Sequence, residues 1–245
     1  MKRLDNKVVI ITGAAQGMGK MHAEKVLNEG AKVAITDINE TLGQEVAQEL
    51  GESALFIKHD VSNEADWQNV VDTVINKWGK IDVLVNNAGI TYNTPLEELS
   101  LESYMKIVNI NQVSVFLGMK SVASTMKEQQ HGSIINISSM NGLVGGAIGY
   151  TDTKFAVRGM TKAASSDLSP YNIRVNSVHP GVIQTPMIEQ EGVKEAVEEF
   201  AKTIPMRRVA LTEEVSNMVI FLASDDAKYM TGETITMQGG SGLRP

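Results

Sequence analysis

The sequence predicts an α/β protein in which one doubly wound parallel sheet carries helices on both of its faces. Two patterns and one bulk property support this prediction. Short, β-branched apolar segments alternate with longer segments of helical periodicity along the chain. Near-continuous apolar strands of this kind are typical of parallel strands buried on both faces. The 245 residues, 42% of them hydrophobic, contain no Pro- or Ser-rich linker, so we expect a single domain spanning residues 1–245.

The individual strands are predicted from runs of branched apolar residues, and the helices from the stretches between them. The segments with such runs are 8–11, 32–36, 54–57, 83–85, 132–137, 173–178 and 234–237. Helical periodicity is clear in 18–29 and 42–50. We therefore expect a sheet of about seven parallel strands separated by helices.

The stretch 186–206 departs from this alternation. It is rich in acidic residues and is bracketed by Pro186 and Pro205. Its pattern predicts a short helix over one end of the sheet. Charge pairs four residues apart fit a surface helix exposed to solvent, whereas the position fits a substrate lid, and both interpretations stay open.

Composition excludes several kinds of function. The chain has no cysteine, which excludes disulfides, zinc–thiolate sites and thiol catalysis. A formal charge of −7 without a basic stripe argues against nucleic acid as a partner. No stretch approaches the roughly 18 uninterrupted apolar residues of a membrane span, and the apolar run near the N-terminus is too short for a signal peptide. We therefore expect a soluble cytoplasmic protein.

A glycine-rich turn follows the first predicted strand. The segment "TGAAQGMGK" places Gly13, Gly17 and Gly19 before the first helix, in the spacing Gly-x3-Gly-x-Gly. Glycines at these points suit a tight turn, close approach of a pyrophosphate and close packing of the helix on the strand. The free N–H groups of the helix N-terminus favour a phosphate anion, which brings Gln16 and Met18 into the same site. Alone the signal is weak, because glycines at such turns are also ordinary structural residues.

An acidic residue at the end of the second strand strengthens this interpretation. Asp37 stands about twenty residues after the glycines, where a carboxylate accepts hydrogen bonds from an adenosine ribose. Alternatively, Asp37 only opens the turn before the next helix. A carboxylate there would repel a 2′-phosphate, Ile38 follows it, and the glycine loop holds no arginine. Because Lys20, the one nearby cation, falls on the helix beyond the turn, the sequence favours NAD over NADP.

The third and fourth strands also end in polar residues. The segments "HDV" and "NNAG" place Asp60 and Val61, and then Asn87, Ala88 and Gly89, at these two strand ends. Ligands of open α/β sheets bind outside the carboxyl ends of the strands, which puts these residues on the predicted binding rim. Clusters of this type also form ordinary turns, so "NNAG" alone does not decide between the two.

The candidate acid–base residues are Tyr150 and Lys154, which stand four residues apart in "YTDTK". On a helix this spacing puts both side chains on one face, either as an ordinary surface pair or as an acid and the cation that tunes it. Together with "TGAAQGMG", "NNAG", "NISS" and "HPGVIQTP", the motif occurs in an order and spacing that resembles the short-chain dehydrogenase/reductase family. The resemblance covers essentially the whole chain. Within the family it looks most like bacterial NAD(P)-dependent secondary-alcohol, diacetyl and hydroxysteroid dehydrogenases.

The resemblance implies a Rossmann-type fold and a catalytic set of four residues. Tyr150 would exchange a proton with the substrate, and Lys154, with the oxidised nicotinamide ring, would lower the pKa of its phenol from about 10. Lys154 would also bind the nicotinamide ribose. Ser139 would hold the substrate oxygen, and Asn111 would support a proton-relay water near Lys154.

Three polar residues near these motifs are expected to be structural. Ser138 and Asn109 are the rivals of Ser139 and Asn111 by position. His179 has a side chain that titrates near neutrality and would suit a base, but the family does not use this position in that way.

The resemblance extends to the loop after the sixth strand, "HPGVIQTP". It implies that Pro180, Gly181, Ile183 and Thr185 pack on the nicotinamide, with the Ile183 backbone and the Thr185 hydroxyl at its carboxamide. The sequence shows no cluster of histidines and carboxylates with metal-ligand spacing, so no metal site is predicted. A homotetramer is implied by the resemblance alone.

Two features depart from the family pattern. Asp152 stands between Tyr150 and Lys154, where relatives commonly have small residues, and it should point away from the face that they share. We expect it at a subunit surface or beside the helix N-terminus, where a carboxylate is favourable. The segment from Ser139 to Tyr150 is about two residues shorter than is usual in the family it resembles, which leaves the shape of the substrate pocket open.

The predicted function is NAD(H)-dependent interconversion of a secondary alcohol and a ketone. A 3-oxoacyl-thioester reductase with an acyl-carrier partner is one alternative, but it should prefer NADP and carry a basic docking patch, and Asp37 and the acidic stretch 189–199 argue against both. A catalytically silent cofactor-binding protein is the other alternative, and the intact catalytic set argues against it.

The candidate pocket walls are Thr91, Tyr92, Asn141, Leu143, Val144, Met187 and Ile188. They suit a small ketone, a diketone or a flat hydrophobic alcohol equally.

Overall fold

The computed structural model describes residues 2–185 and 193–241. Its strands are β1 (Val8–Thr12), β2 (Lys32–Asp37), β3 (Ala54–Lys58), β4 (Val83–Asn86), β5 (Gly132–Ile137), β6 (Ile173–Pro180), β7 (Ile183–Gln184), β8 (Ala210–Leu211) and β9 (Thr234–Met237). Its α-helices are α1 (Gly17–Asn28), α2 (Glu40–Leu50), α3 (Glu64–Trp78), α4 (Leu101–Val108), α5 (Ser114–Gln129), α6 (Tyr150–Leu168), α7 (Val193–Thr203) and α8 (Thr212–Ala223). A π-helical turn, Asn109–Val113, joins α4 to α5. None of the described helices is long and apolar enough to cross a membrane.

Seven of these strands form one parallel sheet in the order β3-β2-β1-β4-β5-β6-β9. Each neighbouring pair runs parallel. The seven strands predicted from the sequence are these seven, which confirms the predicted fold class. The order of the strands reverses between β1 and β4, and open α/β sheets bind ligands at such a switch point, outside the carboxyl ends of the strands.

Helices cover both faces of the sheet because successive strand residues point to opposite sides. Val9 and Ile11 of β1 pack in one core with residues of α1, α2 and α8. Val8 and Ile10 pack in the other core with residues of α3, α5 and α6. All four side chains are at most 1% exposed, so β1 is buried on both faces and lies in the centre of three layers.

A small second sheet, formed by β7 and β8, was not predicted. It pairs Ile183 with Ala210 and Gln184 with Leu211, and so joins the two segments that flank the predicted helical stretch 186–206. Within that stretch, α7 runs from Val193 to Thr203. Residues 186–192 lie outside the described residues, and with them the two predicted pocket walls Met187 and Ile188.

Candidate active site

A cleft of about 500 Å³ opens at the carboxyl ends of the strands, beside the switch point between β1 and β4. The predicted cofactor-binding residues all line it: Gly13, Gln16, Gly17, Met18, Asp37, Ile38, Asp60, Val61, Asn87, Ala88, Gly89, Tyr150, Lys154, Pro180, Gly181, Ile183 and Thr185. Ser139 lines it as well, whereas Asn111 is fully buried and does not. Among the described residues, no three histidine, aspartate or glutamate side chains come together in a way that could hold a metal ion.

The glycine-rich turn is shaped by close packing and by positive φ angles. Gly13 and Gly17 have φ of +63° and +57°, in the left-handed region that favours glycine. A Cβ on Gly19 would collide with the Gly13 carbonyl oxygen and lie 2.7 Å from Asn87 Nδ2. α1 begins at Gly17 without a side-chain cap and without an acidic residue in its first turn. Its first N–H groups are therefore left free beside the cleft, where they suit an anion.

Thr12 ties this turn to the residues that follow β4. The backbone N–H groups of Asn87 and Ala88 donate to Thr12 Oγ1 at 3.0 and 3.1 Å. Asn87 Nδ2 donates to the carbonyl oxygens of Thr12 and Gly13 at 2.9 and 3.1 Å. Asn87 Oδ1 is buried and has no partner among the described residues. These hydrogen bonds therefore hold the glycine turn and the "NNAG" motif together, and the Asn87 side-chain oxygen remains available as an acceptor beside them.

Asp37 is held at the end of β2 by two backbone groups. Its Oδ2 accepts from the Ala15 N–H at 3.1 Å, and its Oδ1 accepts from the Asn39 N–H at 3.0 Å. The contact with Asn39 is the turn-opening role that the sequence left as an alternative. The contact with Ala15 fixes the carboxylate to the glycine turn, so Asp37 opens the turn and also lines the cleft.

Lys154 is buried and tied to β5. Its Nζ donates to the Ile137 carbonyl oxygen at 2.9 Å and lies 5.5 Å from the centroid of the Tyr150 ring. Burial lowers the pKa of its ammonium group to about 8. Ser138 Oγ donates to the carbonyl oxygen of Lys154 at 2.9 Å, and so fastens α6 to the end of β5.

The Tyr150 phenol lies against Ser139. Ser139 Oγ accepts from the Asn141 N–H at 3.1 Å, which leaves its own O–H free to donate. Burial raises the pKa of the Tyr150 phenol, and the hydrogen bond with the Ser139 side chain lowers it in part. In the chain alone the phenol is therefore held protonated. The predicted decrease of its pKa involves the oxidised nicotinamide ring as well as Lys154, and it stays a prediction.

Asn111 lies in the π-helical turn between α4 and α5, which the sequence did not predict. The Ile90 N–H donates to Asn111 Oδ1, and Asn111 Nδ2 donates to the Ile90 carbonyl oxygen, each at 2.8 Å. A Cβ on Gly89 would lie 3.4 Å from Asn111 Oδ1 and 3.5 Å from Lys154 Nζ. The amide therefore anchors the segment after β4 beside Lys154. Its rival Asn109 is exposed.

Asp152 does not line the cleft and instead contacts α4. Its Oδ2 accepts from the Tyr104 hydroxyl at 2.8 Å, and its Oδ1 is buried without a partner among the described residues. It lies in the first turn of α6. This place beside the helix N-terminus is one of the two that were predicted for it.

The sequence that forms this cleft matches a known protein family. A family model described as enoyl-(acyl carrier protein) reductase matches residues 13–241, from the glycine turn to the segment after β9. The chain belongs to the short-chain dehydrogenase/reductase family. The resemblance inferred from the motifs is thereby confirmed, and the chain is an oxidoreductase of a family that binds a nicotinamide cofactor.

Individual dehydrogenases and reductases of this family are similar to the chain over nearly its whole length. A 3-alpha-(or 20-beta)-hydroxysteroid dehydrogenase of Mycobacterium tuberculosis is 44% identical over 98% of this chain and 90% of its own. A cyclopentanol dehydrogenase of a Comamonas species is 44% identical over 98% of both chains. The crystal structure of levodione reductase superposes with a TM-score of 0.95 at 32% identity, over 99% of this chain and 100% of that one.

Sequence reasoning missed part of the apolar lining of this dehydrogenase/reductase cleft: Ile90, Ile110, Ile137 and Val182. Ile137 and Val182 lie inside quoted motifs and Ile90 directly follows one, so these three could have been found from their positions. Ile110 lies in the unpredicted π-helical turn. Of the predicted pocket walls, Thr91 lines the cleft. The others that the structure describes do not line it: Tyr92, Asn141, Leu143 and Val144.

Proposed function

We propose that the protein is an NAD(H)-dependent dehydrogenase that interconverts a secondary alcohol and a ketone, with Tyr150 as general acid and base. One observation carries the proposal. Tyr150, Lys154 and Ser139 converge in a single cleft, and Asp37 stands in the same cleft at the end of a strand three positions away from β5 in the sheet. A cleft that holds both an acid–base group and an anchor for a ribose suits a reaction between a dinucleotide and a small organic molecule.

The residues present fit a nicotinamide dinucleotide. The free N–H groups at the start of α1 would hold the pyrophosphate, and a Cβ on Gly17 would meet nothing within 4 Å, so no side chain fills that space. Asp37 would hold the adenosine ribose and Lys154 the nicotinamide ribose. The loop 180–185 would pack on the nicotinamide.

The charges around the cleft favour NAD over NADP. The Asp37 carboxylate would repel a 2′-phosphate, and its two backbone contacts keep it in place. Lys20 is paired with Glu49 at 2.7 Å. Among the described residues that line the cleft, Lys154 is the only lysine or arginine, and it lies beside Tyr150. A 2′-phosphate would therefore find no cation next to Asp37.

A nicotinamide dinucleotide held by these residues would accept the hydride of the substrate carbon in oxidation and supply it in reduction. In alcohol oxidation Tyr150 takes the hydroxyl proton of the substrate, and in ketone reduction it gives a proton to the forming alkoxide. Ser139, whose oxygen accepts from Asn141, directs its O–H to the substrate oxygen. Lys154, with a pKa of about 8, is positively charged at neutral pH, and this charge stabilises the Tyr150 phenolate.

We extend the proposal to secondary alcohols on a saturated ring. Two of the relatives are named for hydroxysteroids and for cyclopentanol. The cleft residues Ile90, Ile110 and Val182 are apolar and suit a hydrocarbon ring. A homotetramer belongs to the same proposal on family resemblance alone. A cytoplasmic location belongs to it on composition, and a lid over the site at 186–206 on the position of that segment in the sequence.

Initial rates with NAD⁺ and NADP⁺ for oxidation, and with NADH and NADPH for reduction, test this function directly. The panel contains cyclopentanol, cyclohexanol, a 3-hydroxysteroid, 2-butanol and, for reduction, an acetoacetyl thioester. We expect a ring alcohol with NAD⁺ to give the highest kcat/KM, at least about tenfold above the same alcohol with NADP⁺. If the acetoacetyl thioester with NADPH gave the highest kcat/KM, the protein would instead be a 3-oxoacyl-thioester reductase.

The contact with the ribose is tested by Asp37→Ala. Because the repulsive carboxylate is removed, the preference for NAD⁺ over NADP⁺ should shrink towards unity. Glu40→Ala is the matched control, since Glu40 is an exposed carboxylate on α2 that pairs with Lys58 and does not line the cleft. An unchanged ratio in Asp37→Ala would show that the ribose is bound elsewhere.

A further inference from the structure

His179 lies at the end of β6 and is fully buried directly behind Ser139. Its Nδ1 is 2.9 Å from the carbonyl oxygen of Ser139, and its Nε2 is 2.9 Å from Ser177 Oγ. The imidazole does not line the cleft, so it cannot act on a substrate directly. It does, however, contact the backbone of the residue expected to bind the substrate oxygen.

The partners of the ring determine its tautomer. A carbonyl oxygen only accepts, so the hydrogen must be on Nδ1, which donates to Ser139. In the neutral ring Nε2 is then an acceptor, and the Ser177 hydroxyl is the donor that meets it. The same hydroxyl lies 3.2 Å from the Glu233 carbonyl oxygen, its competing acceptor. Both ring nitrogens are therefore engaged, and the imidazole has one orientation.

The surroundings keep the ring neutral. Burial is the main cause that lowers the pKa of His179 to about 4. The bond to the Ser139 carbonyl acts in the opposite sense, and the positive charges of Arg158 and Lys154 lower the pKa further. At the pH of any dehydrogenase assay near neutrality the ring therefore stays a fixed neutral donor.

We propose that His179 is a positioning residue for Ser139: its Nδ1–H fixes the Ser139 carbonyl and thereby aims the Ser139 hydroxyl at Tyr150 and the substrate oxygen. The inference rests on the proposed function for the role of Ser139. The Asn141 N–H donates to Ser139 Oγ at 3.1 Å and so holds the side chain. The bond from His179 holds the backbone carbonyl, so both parts of Ser139 are fixed. His179 is thus more than the plain structural residue that the sequence suggested.

Two amide variants separate the contact with Ser139 from the contact with Ser177. His179→Asn places an amide N–H close to the position of Nδ1, and so keeps a donor for the Ser139 carbonyl. His179→Gln places its amide nearer the position of Nε2, and so keeps the partner of Ser177 but not the donor for Ser139. His22→Gln controls for the loss of a buried imidazole, since His22 is fully buried between α1 and α8 and bonds Ser216 Oγ at 2.7 Å.

We expect His179→Gln to lower kcat about 10- to 100-fold, the effect of misplacing a reacting group, with an unchanged Kd for NADH. Its apparent pKa for alcohol oxidation should rise, because the phenol of Tyr150 loses the hydrogen bond that lowers its pKa. His179→Asn should keep kcat and this pH profile close to those of the wild type, as should His22→Gln. Equal kcat and equal pH profiles in the Gln and Asn variants would overturn the proposal.

The tautomer provides a test that does not depend on the folding of a variant at position 179. The chain has four histidines, so ¹⁵N-histidine labelling gives few signals, which single variants of the other three assign. The His179 ring should be a neutral Nδ1–H tautomer from pH 6 to pH 9, and an Nε2–H tautomer would refute the bond to Ser139. Ser139→Ala tests the underlying function separately, since wild-type kcat in that variant would reject the role of Ser139 whatever the tautomer of His179.

Discussion

Burial shifts Tyr150 and Lys154 towards their neutral forms. The pKa of the phenol is raised, and that of the ammonium group is lowered to about 8. A buried ion loses hydration that a neutral group does not need, so both shifts have the same physical origin. In the proposed reaction Tyr150 is therefore an acid that is ready for ketone reduction, whereas alcohol oxidation would need added positive charge in the cleft or a higher pH.

Removal of the Tyr150 hydroxyl should abolish most of the activity in both directions. In Tyr150→Phe we expect kcat to fall about 10²- to 10⁴-fold, the usual contribution of a positioned acid–base group. The ring remains, so the Kd for NADH in a fluorescence titration should change little. Tyr229→Phe is the control, because Tyr229 is fully exposed. Tyr150→Phe with wild-type turnover would exclude Tyr150 as the acid–base group.

Among the elements, the seven strands of the main sheet could be predicted from the sequence, whereas the π-helical turn and the short strands β7 and β8 could not. Each strand of the main sheet is a run of branched apolar residues, which is a local signal. In the π-helical turn, Asn111 bonds to Ile90 at a separation of 21 residues, and no local pattern reports so distant a partner. The strands β7 and β8 are each two residues long, too short to show an alternation.

The same distinction holds within the site. The lining residues of the cleft in the glycine turn, "NNAG" and "YTDTK" were predictable because each follows or begins a regular element. The proposed walls in 140–149 were not, because this segment consists of a short 3₁₀ turn, Met140–Gly142, and irregular backbone without periodicity. Which of its side chains reach the cleft depends on the path of that backbone.

The fit of α1 against the end of β4 can be tested at Gly19. In Gly19→Ala the new methyl group would press on the Gly13 carbonyl and on Asn87 Nδ2, so the glycine turn must shift. We expect a loss of about 1–3 kcal/mol in the free energy of unfolding and a raised Kd for NADH.

Gly159→Ala is the matched control for this substitution. Gly159 lies within α6, and a Cβ there would meet nothing within 4 Å. Alanine should therefore stabilise that variant by roughly 0.5–1 kcal/mol and leave the Kd for NADH unchanged. If Gly19→Ala behaved in the same way as Gly159→Ala, the close packing of the glycine turn would not matter for the cofactor.

The whole molecule should be sensitive to acid because it buries three neutral histidines. His22, His59 and His179 are at most 1% exposed. Burial lowers their pKa from 6.5 to about 3 for His22 and about 4 for the other two. In the unfolded chain each returns to a pKa near 6.5 and binds a proton that the folded chain excludes. Stability that is fully present above pH 6.5 is therefore lost as the pH falls towards 4.

Urea unfolding at a series of pH values measures this effect. Between pH 7 and pH 5 the free energy of unfolding should fall by about 1–2 kcal/mol for each buried histidine. His22→Gln should show a shallower dependence, because one of the three titrating groups is gone. Lys154, with a pKa of about 8, changes the stability only at higher pH, where it adds stability as the pH rises. Equal stability at pH 5 and pH 7 would contradict the prediction.

Two reciprocal hydrogen bonds, from Lys154 Nζ to the Ile137 carbonyl and from Ser138 Oγ to the Lys154 carbonyl, join α6 to the end of β5. Ser139 follows directly, so the proposed acid–base residue Tyr150, Lys154 and the Ser139 hydroxyl all lie on this one connection between strand and helix. The loops 90–99 and 140–149 contribute none of these groups. Of these two loops, only Ile90 and Thr91 line the cleft. In the proposed reaction, proton transfer and contact with the substrate ring therefore depend on different residues. A chimera that takes loop 90–99 from a relative should change in specificity while keeping its hydride and proton transfer, which makes the chain a starting point for engineering.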